Sequence, residues 1–234
     1  MFFFKSKNKK KKETIKIYQK YYKNGALKSR CNVVNEKFDG LFVQFWSNGT
    51  KKQTCTYKNG IVEGASKTYN KKGELILLEN YKNGLLHGDA FEFYPETKNI
   101  ALQKYYKNNK QHGECIAYDE EKNIIYIENY LYGIKQGTST EFYSNGIVRT
   151  IMNYENGVKQ GVYKEYYPNG KLSSEYHYAN DLLCGRHRIF GKNGNLFYQV
   201  YYVNGNEQGE AIDYDKDGNL IETRIFENGI VVSE

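Results

Sequence analysis

One glycine column sets what this chain can fold into. Gly40, Gly64, Gly88, Gly113, Gly137, Gly161, Gly185 and Gly209 recur at intervals of 24 residues, with a single interval of 25. The extra residue falls between Phe93 and Tyr106, where Tyr94-Pro95-Glu96-Thr97-Lys98-Asn99 replaces the usual turn. A worn copy covers residues 16–39, and the last copy reaches Ser233 where a Gly is due. About nine repeats therefore fill the chain, and a fixed period in this range marks an array whose members bury their apolar surface on one another.

Two aromatic columns run in step with the glycines. Five residues after each Gly stand Phe45, Tyr69, Phe93, Tyr118, Phe142, Tyr166, Phe190 and Tyr214; twelve further on stand Tyr57, Tyr81, Tyr106, Tyr130, Tyr154, Tyr178, Tyr202 and Phe226. A turn follows each aromatic. The first set includes Asn48-Gly49, Asn145-Gly146, Asn169-Gly170 and Asn193-Gly194; the second includes Asn59-Gly60, Asn83-Gly84, Asn156-Gly157 and Asn204-Gly205. Asn-Gly between aromatic-rich runs predicts a type I′ hairpin turn, which needs positive φ at both central residues. The composition agrees: 22 Gly against 2 Pro favours tight turns, and 24 Tyr suit strands whose rings pack while their hydroxyls stay wet. Each repeat reads as strand, turn, strand, turn, and about 17 or 18 strands in sequence make an all-β, single-layer antiparallel meander.

Signs of catalysis or metal chemistry are weak. Cys31 and Cys55 share one offset a repeat apart, about 9.6 Å across two strand spacings and beyond the ~7 Å reach of a disulfide. With Cys115 and Cys184 they read as free thiols, which points to a reducing, cytoplasmic setting. No Cys-x-x-Cys occurs, so no zinc site of that kind is expected. His87 and His112 each precede a repeat Gly, a column otherwise holding Asp39, Glu63, Gln136, Gln160, Cys184 and Gln208, and read as a tolerant polar turn position. His177 and His187 have no partner at ligand spacing. Asp213-Tyr-Asp215-Lys-Asp217-Gly218 opens like an EF-hand loop, but its twelfth position is Arg224 where a bidentate Glu is needed. No cofactor, metal or catalytic set is expected.

The charge of +7 is unevenly placed. Residues 1–16 carry seven Lys and one Glu, leaving 27 bases against 26 acids elsewhere. Residues 1–15 thus read as a basic tail and 16–234 as the repeat domain. A near-neutral body argues against a nucleic-acid groove, which spreads Lys and Arg along its binding face. Phe2, Phe3 and Phe4 precede Lys9, Lys10, Lys11 and Lys12, an order unlike a secretory signal. These residues are candidates for contact with anionic lipid or nucleic acid.

The pattern G-x4-[YF]-x2-N-G-x-[LIV]-x5-Y-x-N-G-x3-G, seen nearly whole in Gly161-Val-Tyr-Lys-Glu-Tyr-Tyr-Pro-Asn-Gly-Lys-Leu172, resembles the MORN-repeat variant over almost the whole chain. The resemblance implies non-catalytic roles: scaffolding, membrane association, and in bacteria an antitoxin or immunity protein that binds a toxin. The expected function is a protein-binding inhibitor of that type. An anti-CRISPR-type inhibitor of a defence nuclease and a membrane-surface scaffold held by the tail are the alternatives. Repeat arrays place specificity where copies differ. Six after each Gly stand Trp46, Asn70, Tyr94, Asp119, Tyr143, Tyr167, Gly191 and Asp215. Of these, Trp46, Tyr94, Tyr143 and Tyr167 are the candidate partner contacts, since Trp and Tyr dominate interface energetics; ordinary cross-strand packing is the competing role.

Overall fold

The computed structural model describes residues 14–233, which form 24 strands and no helix. Consecutive strands pair antiparallel, so the chain is a meander of hairpin repeats, as the periodicity predicts. The described residues fall into two compact units, one ending at Leu86 and the other beginning at His87.

The two turns of a repeat differ in kind. At the second turn both central residues have positive φ, as at Asn59-Gly60 (52° and 83°) and Asn156-Gly157 (52° and 86°), giving the expected type I′ geometry. At the first turn only the Gly is left-handed. Gly49 N donates to Trp46 O (3.0 Å) and Trp46 N to Thr50 O (2.8 Å), which makes a type I turn closed by a glycine bulge. The Asn here is freed to act through its side chain: Asn48 Oδ1 accepts from Thr50 N (3.1 Å).

The repeat glycine sits at a bulge in the return arm. Gly161 has φ +84° and no atom within 4 Å of where a Cβ would stand, so backbone conformation and not space demands glycine there. The bulges split five return arms, as where Val158–Lys159 precedes Gly161–Tyr166, and they raise the strand number above the 17 or 18 expected. Each repeat glycine lies opposite the second aromatic: Gly40 faces Tyr57 in the first unit, and Gly113 faces Tyr130 and Gly185 faces Tyr202 in the second. The ring covers backbone that glycine leaves bare.

One sheet layer cannot hold a thick core, so burial falls on rows of mostly small side chains. In the first unit these are Ser29, Cys31, Val43, Cys55 and Ser66; in the second, Ala90, Cys115, Ala117, Met152, His187, Val200 and Ala211. Large residues face small ones across the register, as Phe42 faces Cys55 and Ser139 faces Met152.

Hydrogen bonds tie successive repeats at both hairpin ends. At the first-turn rim, Tyr22 Oη donates to Phe45 O (2.7 Å) and Asn48 Nδ2 to Lys71 O (3.0 Å) in the first unit; Asn169 Nδ2 donates to Lys192 O (3.2 Å) in the second. At the second-turn rim, Gly60 N donates to Phe38 O (2.7 Å), and Gly205 N to Leu183 O (2.8 Å). The residue before the repeat glycine completes this rim. Asp39, Glu63, Gln136, Gln160 and Gln208 each accept from the backbone N–H of the next second-turn Asn, at 2.8–3.0 Å. The column expected to be merely tolerant is therefore a selective link. His87 keeps it by a 3.2 Å contact with Asn108 Oδ1. Where the turn residue is Tyr132, His112 meets it ring to ring at 4.9 Å.

Candidate binding surface

The four aromatic contact candidates occupy one structural column. Trp46 Nε1 donates to Tyr69 O (3.0 Å), Tyr94 Oη to Tyr118 O (2.9 Å), Tyr143 Oη to Tyr166 O (2.7 Å) and Tyr167 Oη to Phe190 O (2.8 Å). Each polar tip is spent on the next repeat's backbone, and each side chain is half-buried. Lys52 and Lys71 lie 4.6 and 5.8 Å from the Trp46 ring centre. Where the column holds Asn70, Asp119 or Asp215, the side chain caps its own turn instead. At Gly191 the Phe197 ring fills the space, 2.4 Å from a built Cβ. The candidates Phe2, Phe3, Phe4, Lys9, Lys10, Lys11 and Lys12 lie outside the described residues.

The EF-hand-like stretch is a turn of the same kind. Asp215 Oδ1 accepts from Asp217 N and Asn219 N, at 2.9 and 2.8 Å. The bond from the Asn219 side chain (Nδ2 to Asp215 Oδ2, 2.9 Å), with these backbone bonds, holds the Asp215 carboxyl below the usual range, as the bonds from Asn123 do for Asp119. Among the described residues no group of three or more His, Cys, Asp or Glu side chains is gathered for a metal. The four cysteines are free, and Cys31, Cys55 and Cys115 are buried, which pushes their thiols up. His177 Nδ1 lies 3.1 Å from Arg186 O.

A second set of side chains is built in the second unit, on the sheet face of the second aromatics. Tyr163 and Tyr176 face each other across paired strands, Gly161–Tyr166 and Leu172–Ala179, with ring centres 5.5 Å apart. His187, on Leu182–Phe190, stacks on Tyr176 at 4.1 Å and 20°, and meets Tyr198 and Tyr202 at 5.9 and 5.8 Å. It is 7% exposed, and neither ring nitrogen has a hydrogen-bond partner. Burial pushes its pKa down, so the ring is held neutral.

Carboxylates border this aromatic group. Glu207 Oε1 accepts from Tyr198 Oη (3.4 Å) and Tyr202 Oη (3.2 Å), and Glu165 Oε2 accepts from Ser174 Oγ (3.3 Å). Burial, reinforced by Glu207, pushes both Tyr198 and Tyr202 up to about 12; burial and Glu165 do the same to Tyr163. These phenols are neutral donors at any physiological pH. Three carboxylates on other strand pairs have cations: Glu128 pairs with Lys135 (2.5 Å), Glu92 with Lys104 (2.9 Å) and Asp213 with Arg224 (2.5 Å). Glu165 and Glu207 have none among the described residues. On the strand pairs beside them, Glu175 lies between Arg188 (2.5 Å) and Lys164 (3.8 Å). Burial opposes its charge, but those two cations prevail and hold its carboxyl low.

Sequence reasoning passed over this group because it took its contact candidates from the varying column six after each Gly. The signal lay two residues after each Gly, where Phe42, Ser66, Ala90, Cys115, Ser139, Tyr163, His187 and Ala211 vary widely in size and polarity.

No curated protein matches the chain. Among solved structures, a chain of the Photorhabdus luminescens Tc holotoxin pore (mutation TccC3-D651A) is 14% identical, with a TM-score of 0.22 over 91% of this chain and 13% of that one. So low a score carries no argument, and this chain spans only a small part of that one. Residues 38–59, 135–156, 159–180 and 183–204 match the family model described as MORN repeat variant; each matched stretch runs from a return strand through the repeat glycine to a second-turn Asn.

Proposed function

We propose that this chain is a non-catalytic protein-binding module that acts as an inhibitor of the antitoxin or immunity type, occupying a toxin or effector to neutralise it. The observation that carries the proposal is a division of labour among side chains. Both hairpin rims are satisfied internally, repeat to repeat, by the Asn, Gln, Asp, Glu and Tyr of the repeat frame. The columns between the rims are free to vary, and in the second unit they assemble tyrosines with two unpaired carboxylates. Tyrosine beside carboxylate gives rigid, amphipathic contact area with directional acceptors, which suits a protein partner. An open sheet excludes water poorly, whereas electrostatic catalysis needs a site from which water is excluded.

Affinity capture from the source lysate tests the proposal, with wild type beside a Glu165→Lys, Glu207→Lys variant. One protein retained in stoichiometric amount by wild type, released by the variant and inhibited on rebinding is the expected result. If wild type retains no protein, the proposal fails. In the first unit, exposed Ile61 and Leu85 stand next to exposed Lys58 and Lys82, an amphipathic arrangement that favours a membrane surface as a second reading. Cosedimentation with anionic vesicles, lost on deleting residues 2–12, would support it.

A further inference from the structure

In two successive repeats a lysine reaches the second aromatic of the repeat that follows. Lys135 Nζ lies 5.1 Å from the centre of the Tyr154 ring, and Lys159 Nζ lies 5.0 Å from that of Tyr178. Both lysines occupy one column, facing Tyr130 and Tyr154 across their own hairpins. In the next repeat that column holds Leu183, which faces Tyr178. The following aromatic, Tyr202, therefore has no lysine from the preceding repeat.

Tyr202 is also where a carboxylate arrives. Glu207 lies opposite Tyr202 and accepts from both Tyr202 and Tyr198, with no ion pair among the described residues. The cation on the following strand, Arg224, is already held by Asp213 (2.5 Å) and Glu222 (3.6 Å). His187 closes the floor beneath the two rings, buried and with both nitrogens unpartnered. A carboxylate that accepts from two phenols, in an array that seats a lysine on the equivalent ring of two other repeats, is the chemistry that holds an ammonium or guanidinium group.

We propose that Tyr198, Tyr202 and Glu207 form a receptor for one cationic side chain, lysine or arginine, of the protein partner. This inference rests on the protein-binding reading and names the chemistry of its contact. The ring faces supply attraction to the cation, Glu207 supplies the counter-charge, and Leu183 leaves the place open.

The test uses the full chain and three capped tripeptides, Ac-Gly-Lys-Gly-NH2, Ac-Gly-Arg-Gly-NH2 and Ac-Gly-Gln-Gly-NH2, followed through the NMR ring signals of Tyr198 and Tyr202. The Lys or Arg peptide is expected to shift these signals saturably, with a dissociation constant of roughly millimolar order for so small a probe. The Gln peptide should not. Glu207→Gln should weaken binding roughly tenfold. Leu183→Lys should remove binding by seating an internal ammonium over Tyr202, as Lys159 does over Tyr178. Unchanged amide spectra establish that each variant is folded, and Glu207→Gln alone decides if Leu183→Lys is not. No saturable shift in wild type, or equal binding by wild type and folded Glu207→Gln, overturns the receptor. A protein captured by the chain while the peptides fail overturns this inference alone; peptides that bind while no protein is captured overturn the protein-binding reading instead.

Discussion

Changing Tyr143 and Tyr167 to Phe separates the framework from the binding surface. Each substitution keeps the ring and removes one hydroxyl, which donates to Tyr166 O at 2.7 Å or to Phe190 O at 2.8 Å. A net loss of about 1 kcal/mol is expected for a part-buried neutral hydrogen bond, at the lower end if water reaches the released carbonyl. The two sites adjoin, since Tyr143 bonds the carbonyl of the residue just before Tyr167. Coupling of about 0.5 kcal/mol between such neighbours is ordinary, so the double variant should lose about 1.5–2 kcal/mol. For a chain of this length that corresponds to a fall in Tm of roughly 3–8 °C. Urea unfolding followed by far-UV circular dichroism reads the change as a lower midpoint at constant slope. A double variant whose midpoint equals wild type would refute the claim that this column is a load-sharing ladder between repeats.

Three further outcomes follow from the same geometry. His187→Phe should flatten the acid side of the stability curve: a neutral buried ring with a depressed pKa favours folding fully above 6.5 and loses that advantage as pH falls below it, which urea midpoints at pH 7.5, 6 and 5 can follow. Gly191→Ala should cost about 1–3 kcal/mol through the Phe197 ring and Asn193 Oδ1 and be relieved in part by Phe197→Ala, whereas Gly161→Ala should cost about 1–2 kcal/mol through its φ alone and be relieved by no neighbour; paired denaturation curves distinguish the two. Cys184, the one cysteine that is not buried, should react with a maleimide before Cys31, Cys55 and Cys115, as mass spectrometry of a time course would show; simultaneous labelling of all four in the folded chain would contradict the burial pattern.

The meander was legible in the sequence because its determinants are local. Glycine spacing, aromatic spacing and Asn-Gly pairs each act within a few residues. The first turn was misread because Asn-Gly serves two geometries: at Asn156 the backbone is left-handed, whereas at Asn48 only the following Gly is. The link through Gln160 was invisible because its partner, the N–H of Asn180, lies 20 residues away and is a backbone atom that leaves no mark on composition. Trp46, Tyr94, Tyr143 and Tyr167 were correctly seen as a varying column, but variation there alternates between two ways of closing a rim, an indole or phenol to the next repeat or a carboxamide or carboxylate to its own turn. The Tyr163–His187–Tyr202 group depends on which side chains meet across three hairpins. No single periodic column displays it.

The central claim is that the repeat frame serves the fold while the tyrosine–carboxylate face serves the partner. One binding isotherm measured on three proteins tests it most directly: wild type, Tyr143→Phe with Tyr167→Phe, and Glu165→Lys with Glu207→Lys, each titrated with the captured protein. The first variant should be less stable yet bind as wild type does; the second gives up the hydrogen bonds accepted by Glu165 and Glu207, so its urea midpoint falls as well, yet while still folded it should bind at least tenfold more weakly. Loss of binding in the hydroxyl variant with full binding in the charge-reversed one would contradict the account and place the contact on the first-turn rim.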